Sequence, residues 1–323
     1  GTLMDPLPLA DITAAADVIS REAVRTPVHS SPEVDALVGA RVYAKDESAQ
    51  RAGSFKFRGA FHRLSRIPAG ERGRGVVAVS SGNHGAAVAC AASVLGIPAT
   101  VHVPADVAPA KRALIEHFGA DIVTFDRATP DREGPARAQA TTSGATFVHP
   151  FEDRDVMLGQ GTVGLEFHDQ VGHLDVLVVP MSGGGLMAGC ASAVSQLDPS
   201  CELLGVEPAV ADDTRRSLLA GERVRIPQPT TIADGLAVTS PGATTFEINR
   251  RLVADVVTVA DEQLLQAMRI ADELLHRRLE PSGAAALAAV LADRERFVGR
   301  TVGVVLSGGN IDADRFRELT AAR

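Results

Sequence analysis

The chain has no tryptophan and one tyrosine, Tyr43, and aromatic residues fill only 4% of its 323 positions. Stacking platforms for bases or sugars, which need several exposed rings, are therefore not expected. Cysteine is scarce too: Cys90, Cys190 and Cys201 form an odd set without metal-ligand spacing. Cys90 and Cys190 lie in Ala/Gly-rich segments, where a thiol acts as a small apolar residue, and a reducing cytoplasm is the expected setting. No apolar run approaches about 18 residues, and no basic-then-apolar leader opens the chain, so neither a membrane span nor a secretion signal is expected. Gly1-Thr2-Leu3 ahead of Met4 reads as a leftover of cloning. Positive charge is in deficit, with 32 Lys and Arg against 40 Asp and Glu and a net charge of −8, which disfavours nucleic acid as a partner. The nine histidines show no zinc-type spacing, and His102 and His173 read as structural. There is no G-x-G-x-x-G, no Walker lysine, no tandem repeat and no low-complexity tract.

What is present is an ordinary globular composition, 45% hydrophobic and 22% charged, in a length that makes one large or two medium domains. Short, continuously apolar runs at 75–79, 99–103, 175–180, 203–206 and 302–306 predict strands covered on both faces. Strands are also expected at 41–45, 121–125, 146–149 and 255–259. Between them, helices are expected at 11–23, 57–64, 86–95, 111–118, 132–142, 155–171, from 186 to 197, and at 214–220, 262–279 and 283–292. Gly159, Gly161 and Gly164 weaken the helix at 155–171, and 227–242 reads as loop. The alternation predicts α/β architecture with open, mostly parallel sheets and helices on both faces.

The stretch Ser54-Phe55-Lys56-Phe57-Arg58-Gly59 places a lysine between two rings. A partly dry amine loses its proton more readily, as a nucleophile or base requires. Ser54 is expected to cap the following helix, with Lys56 in its first turn facing a cleft. Three glycine turns follow three apolar strands, where ligands bind in open α/β sheets, and each is expected to open a helix. Ser182-Gly183-Gly184-Gly185-Leu186 offers bare backbone N–H groups, which suit a single phosphate monoester. Ser80-Ser81-Gly82-Asn83-His84-Gly85 offers donors for a substrate carboxylate, and its Asn83 amide suits a phenolate oxygen. The plainer reading of that turn is a cap by Ser81 or Asn83. Ser307, opening the third turn, can donate to an unprotonated ring nitrogen. Amine, phosphate cradle, carboxylate turn and ring-nitrogen hydroxyl together describe pyridoxal 5′-phosphate.

These motifs, with GQGT at 159–162, TIADG at 231–235, EPSGA at 280–284 and LSGGN at 306–310, resemble the fold-type II pyridoxal-phosphate enzymes. The match is to the threonine/serine dehydratase and serine racemase family, and it spans almost the whole chain. By this resemblance Lys56 carries the cofactor covalently beside Phe55. Gly183, Gly184, Gly185 and Leu186 bind its phosphate, Asn83 meets its ring oxygen and Ser307 its ring nitrogen. Ser80, Ser81, Asn83 and His84 bind substrate, and Ser81 matches the residue that faces the lysine in the racemase branch. Cysteine synthases differ in carrying Asn-Thr where this chain has Asn83-His84, and threonine synthases in an aspartate where it has Phe57. Arg51-Ala52 departs from the Arg-Thr of many dehydratases.

The resemblance also implies a divalent-cation site, Mg2+ or Ca2+, held by Glu207, the Ala211 carbonyl and Asp213; the alternative is a solvated acidic loop. It implies a homodimer, and two domains: a large cofactor-binding one from 1–74 and 152–323, and a small substrate-binding one from 75–151. The expected activity is a carbon–oxygen lyase converting a β-hydroxy amino acid such as L-threonine or L-serine to a 2-oxo acid and ammonia. Racemisation of serine or a related amino acid is the alternative, and a non-catalytic phosphate-binding module is the alternative of another class. No C-terminal regulatory domain, and no feedback by isoleucine, is expected after the last turn.

Overall fold

The apolar runs form strands in a computed structural model that describes residues 6–321; Gly1-Thr2-Leu3 lies outside the described residues. The strands are β1 (Val28–His29), β2 (Arg41–Asp46), β3 (Val76–Val79), β4 (Ala99–Pro104), β5 (Asp121–Phe125), β6 (Thr146–Phe147), β7 (Val176–Pro180), β8 (Glu202–Pro208), β9 (Asp255–Val259) and β10 (Thr301–Leu306). They build two sheets, ordered β1-β2-β10-β7-β8-β9 and β5-β4-β3-β6. Every pairing is parallel except β1 with β2. Fully buried β7, and β10 buried beyond Thr301, show why these strands lack polar alternation: side chains on both faces enter a core.

The helices are α1 (Leu9–Ile19), α2 (Pro32–Val38), α3 (Lys56–Ser65), α4 (Asn83–Leu95), α5 (Pro109–His117), α6 (Gly134–Ser143) and α7 (Arg154–Val171). They continue as α8 (Gly185–Leu197), α9 (Asp213–Ala220), α10 (Ala243–Leu252), α11 (Asp261–Leu275), α12 (Ala285–Ala292), α13 (Arg294–Phe297) and α14 (Ala313–Ala321). Because β7 and β10 are parallel neighbours, the turns that follow them emerge side by side at one sheet edge. The turn after β3 belongs to the other sheet and reaches the same cleft.

Three expectations are corrected. The turn at 307–310 opens no helix: Gly308 forms an antiparallel bridge with Ser54, and Gly309 N–H donates to the Gly53 carbonyl at 2.9 Å. The third glycine turn is thus stitched to the lysine segment, and α14 begins only at Ala313. The helix expected to reach 279 stops at Leu275, because His276 turns left-handed (φ 56°) and Arg277 N–H closes back on the Ala271 carbonyl. Helix α10, together with α2 and α14, forms where no helix was expected.

The glycines of α7 do not break it; they let two helices press against it. A Cβ on Gly159 would sit 2.6 Å from both the Arg58 carbonyl oxygen and the Gly59 Cα of α3. One on Gly161 would lie 3.0 Å from the Gly189 carbonyl oxygen of α8. The obstacles are backbone atoms that cannot rotate away. Gly159→Ala is therefore expected to destabilise the fold by about 1–3 kcal/mol in urea unfolding, from overpacking. A change within the scatter of surface substitutions would mean that α3 and α7 part freely.

Candidate active site

Lys56 stands in the first turn of α3, where the Ser54 hydroxyl accepts its N–H at 3.4 Å. The segment in front is bent by two consecutive left-handed residues, Ala52 (φ 58°) and Gly53 (φ 75°). Ala52, the departure noted in the sequence, is held there by the Asn310 amide, which donates to its carbonyl at 2.7 Å. Beneath α3, Arg58 is buried and forks onto Glu47 (2.6 and 2.8 Å) and Glu166 (2.8 Å), and Lys45 also pairs with Glu166. This buried, charge-balanced cluster fixes the helix that carries the lysine.

Only one of the two flanking rings faces the amine. Lys56 Nζ lies 5.6 Å from the Phe55 ring centroid, but Phe57 is fully buried and stacks on Phe61 at 5.4 Å. Adjacent residues in a helix point about 100° apart, so sequence neighbours cannot both cover one side chain. The amine is nonetheless depressed to about 8, by burial first and then by the nearby Lys111 ammonium.

Lys56 faces a cleft of about 1150 Å3, which Phe55, Ser80, Ser81, Asn83, His84, Gly183, Gly184, Gly185, Leu186 and Ser307 also line. The N–H groups of Gly183, Gly184, Gly185 and Leu186 donate to no described residue, at the N-terminus of α8. These N–H groups suit an anion, and the missing Cβ atoms are what allow it: a side chain on Gly183 would overlap the Phe151 ring. The Ser307 hydroxyl makes a single long bond, 3.4 Å to the Ser282 carbonyl. The residues present fit a phosphate-bearing carbonyl cofactor.

The β3–α4 turn works differently from its expected cap. Ser80, not Ser81 or Asn83, is the cap: its buried hydroxyl accepts from Gly82 N–H (2.8 Å) and Gly85 N–H (2.7 Å). This leaves Ser80 only a proton to offer a ligand. Ser81 is half-buried in the cleft wall. The buried His84 ring donates from Nε2 to the Val148 carbonyl at 2.9 Å. Burial and the Lys56 ammonium push its pKa down to about 3, so it is neutral. The Asn83 amide is locked, Nδ2 donating to Glu280 Oε1 (3.0 Å) and Oδ1 accepting from Asn310 Nδ2 (2.9 Å). One amide hydrogen remains for a ligand.

Several residues of the site escaped the sequence reading. Lys111, buried on α5, pairs with Asp234 and Glu280, each at 2.9 Å, tying the second sheet to the TIADG and EPSGA segments. Its stem passes where a side chain on Gly82 (φ 145°) would stand. Further out, Arg132, Arg223 and Arg225 line the cleft. Arg132 donates to the Arg127 carbonyl (3.0 Å) and Gln228 Oε1 (3.1 Å), and no described carboxylate pairs with it. Burial and the adjacent Arg127 charge work against its protonated form. The partners of Lys111, and Gln228 beside Arg132, lie far along the chain, and no local pattern announces them.

Glu207, Ala211 and Asp213 lie away from the cleft, on β8 and at the start of α9. Both carboxylates are buried. Glu207 accepts from the N–H groups of Thr214 (2.8 Å) and Arg215 (2.9 Å). Neither Asp213 oxygen has a partner. Burial raises the pKa of both; the Glu207 charge raises that of Asp213 further, and the Asp212 charge adds to both. Among the described residues no three His, Cys, Asp or Glu side chains converge as a metal cluster, so a cation here would need backbone and water oxygens as well. An orphaned buried carboxylate beside a second one fits such a cation and does not fit a solvated loop.

Cofactor chemistry of this kind, at the carboxyl ends of parallel strands in two sheets, defines the fold-type II pyridoxal-phosphate enzymes. The chain belongs to the pyridoxal-phosphate dependent enzyme family, whose profile matches residues 19–308. It is 42% identical over 309 residues to an L-threo-3-hydroxyaspartate ammonia-lyase of a Pseudomonas species, covering 96% of this chain and 97% of that one. The structure superposes on maize serine racemase with a TM-score of 0.93 at 37% identity, over 97% of both chains. A serine racemase from Dictyostelium discoideum gives 0.87 at 36% identity, over 95% of this chain and 99% of the other. No helix among the described residues is long and apolar enough to cross a membrane.

Proposed function

We propose that the chain is an ammonia-lyase that eliminates water from a β-hydroxy amino acid, giving a 2-oxo acid and ammonia. The observation that carries this reading is the Lys56 amine, depressed to about 8 in the same cleft as the N–H cradle at Gly183, Gly184, Gly185 and Leu186. Pyridoxal phosphate, when bound, supplies the electron sink that acidifies the α-carbon. The cradle would hold the phosphate, the free Asn83 amide hydrogen would serve the ring oxygen, and Ser307 would donate to the ring nitrogen. Lys56 would tether the cofactor and, as a free amine, would take the α-proton as general base. Ser81 and the N–H groups around it receive the α-carboxylate, while neutral His84 shapes the wall. Lys111, with Asp234 and Glu280, keeps the loops of the two sheets together over the site. The body around β3, β4, β5 and β6 (75–151) then serves as a small substrate domain, against a large cofactor domain formed by the rest. A homodimer in the cytoplasm, with a magnesium or calcium ion at Glu207, Ala211 and Asp213, completes the reading.

Among β-hydroxy amino acids the arginines of the outer cleft favour one with a second carboxylate, 3-hydroxyaspartate, and the activity named for the Pseudomonas relative agrees. A β-carboxylate reaching Arg132 would gain a charge-assisted hydrogen bond, worth roughly 1.5–3 kcal/mol. Arg132→Met is thus expected to cut kcat/KM for 3-hydroxyaspartate by about 10- to 150-fold relative to threonine. Equal losses on both substrates would remove Arg132 from recognition. Racemisation is the second reading, favoured by Ser81 sharing the cleft with Lys56. One experiment separates the two: incubate L-serine, L-threonine and L-threo-3-hydroxyaspartate, and measure 2-oxo acid, ammonia and the enantiomer of the residual substrate. Dominant 2-oxo acid is expected; dominant D-enantiomer would overturn the lyase.

A further inference from the structure

A run of three glycines is a poor anion receptor unless something holds it still. Each glycine loses more backbone freedom on ordering than any other residue, and a loose turn would let its N–H groups point anywhere. The restraint comes from behind. The Thr245 hydroxyl donates to the Gly183 carbonyl at 2.6 Å, and Gly242 N–H donates to the same oxygen at 3.1 Å. The Asn249 amide donates to the Gly184 carbonyl at 3.1 Å. Thr245 and Asn249 are one turn apart on α10 and fully buried, so both present to the glycine turn from one helix face. The other amide atom, Asn249 Oδ1, is buried without a partner, which leaves the bond to Gly184 as the polar contact that explains an asparagine here. Helix α10 is itself pinned at its start, where Glu152 accepts from the N–H groups of Thr244 (2.9 Å) and Thr245 (3.0 Å).

Peptide planarity turns these rear contacts into a frontal arrangement. A trans peptide sets each C=O opposite the next residue's N–H. Holding the Gly183 carbonyl on α10, and the Gly184 carbonyl between Asn249 and the Ala188 N–H of α8 (2.9 Å), therefore aims the N–H groups of Gly184 and Gly185 the other way, into the cleft. We propose that Thr245 and Asn249 are positioning residues that hold the glycine turn in its phosphate-binding form, setting the protein's preference for a phosphorylated cofactor. The proposal rests on the reading of Gly183, Gly184, Gly185 and Leu186 as the phosphate cradle.

The test compares two probes on the full-length, cofactor-stripped protein: pyridoxal phosphate and pyridoxal, which keeps the aldehyde and ring but lacks the phosphate. In Thr245→Val, which preserves shape and removes the donor, pyridoxal phosphate affinity is expected to fall roughly tenfold, the worth of about one hydrogen bond, while pyridoxal affinity holds. Thr245→Ser, which keeps the hydroxyl, restores the preference. Asn249→Ala, whose donor acts on a different carbonyl, gives the same selective loss and serves if the valine variant folds poorly. Equal weakening toward both probes, or an unchanged preference in both variants, would overturn the clamp. Absence of any preference in the wild-type protein would instead bring down the cradle reading itself, and the clamp with it.

Discussion

Lys56→Ala is expected to yield a folded protein that turns over no substrate and holds pyridoxal phosphate only non-covalently. Loss of general-base catalysis alone costs about 10²- to 10⁴-fold, and in the proposed reading the same amine is also the tether, so activity should fall below detection. The cradle at α8 is untouched, so weak phosphate-dependent binding should survive. More than a trace of wild-type elimination would assign the base elsewhere. The depressed amine adds a pH signature. Attack on the cofactor aldehyde needs the neutral form, so cofactor capture by the stripped wild-type protein should rise with pH and level off above about 8. Stability follows by linkage. The desolvated amine is lowered to about 8 in the fold from its ordinary 10.5 when unfolded, so between those values the unfolded chain binds more protons. Burying the ammonium therefore penalises the fold fully below about pH 8, and the penalty fades as pH rises toward 10.5. The cofactor-free alanine variant should accordingly be more stable than stripped wild type at neutral pH, with the gap closing in alkaline solution.

What the sequence made legible was whatever is local. Uninterrupted apolar runs such as Val176 to Pro180 can only be strands with two covered faces, and a glycine turn after such a strand lies at the binding edge of a parallel sheet. That Lys56, the glycine turn at 183–185 and Ser307 would share one cleft was therefore readable from the sequence. What escaped depends on distance and direction. Phe57 adjoins Lys56 in sequence and points away from it in space. Lys111 reads as an ordinary helix lysine, and only the approach of Asp234 and Glu280, more than 120 and 160 residues on, makes it part of the site. Helix α10 begins Ala243-Thr244-Thr245, after Pro241-Gly242, a start that reads as loop. Its helicity is imposed by the surroundings: Glu152 takes its first N–H groups, and Phe246 and Ile248 are buried. Glycine in α7 misled in the opposite direction, because propensity counts the entropy and not the close packing that absent side chains permit.

Stripping divalent cations is expected to lower melting temperature and activity together, and magnesium or calcium to restore both. A buried Asp213 whose pKa is raised by burial and by the neighbouring Glu207 charge is a liability unless a counter-charge serves it. The backbone N–H groups of Thr214 and Arg215 serve Glu207, while Asp213 has nothing. A cation bound a thousandfold above its dissociation constant would add about 4 kcal/mol to the folded state. In a chain of this length, with about 2.1 cal/mol/K of unfolding entropy per residue, that corresponds to roughly 6 °C. Activity should follow because β8 also carries the strand edge next to β7, whose end holds the glycine turn. Asp213→Asn removes one of the two charges and should make the protein indifferent to chelation, at a stability no lower than that of stripped wild type. If chelation leaves wild-type melting and activity unchanged, no cation sits there, and the two carboxylates must be sharing a proton instead.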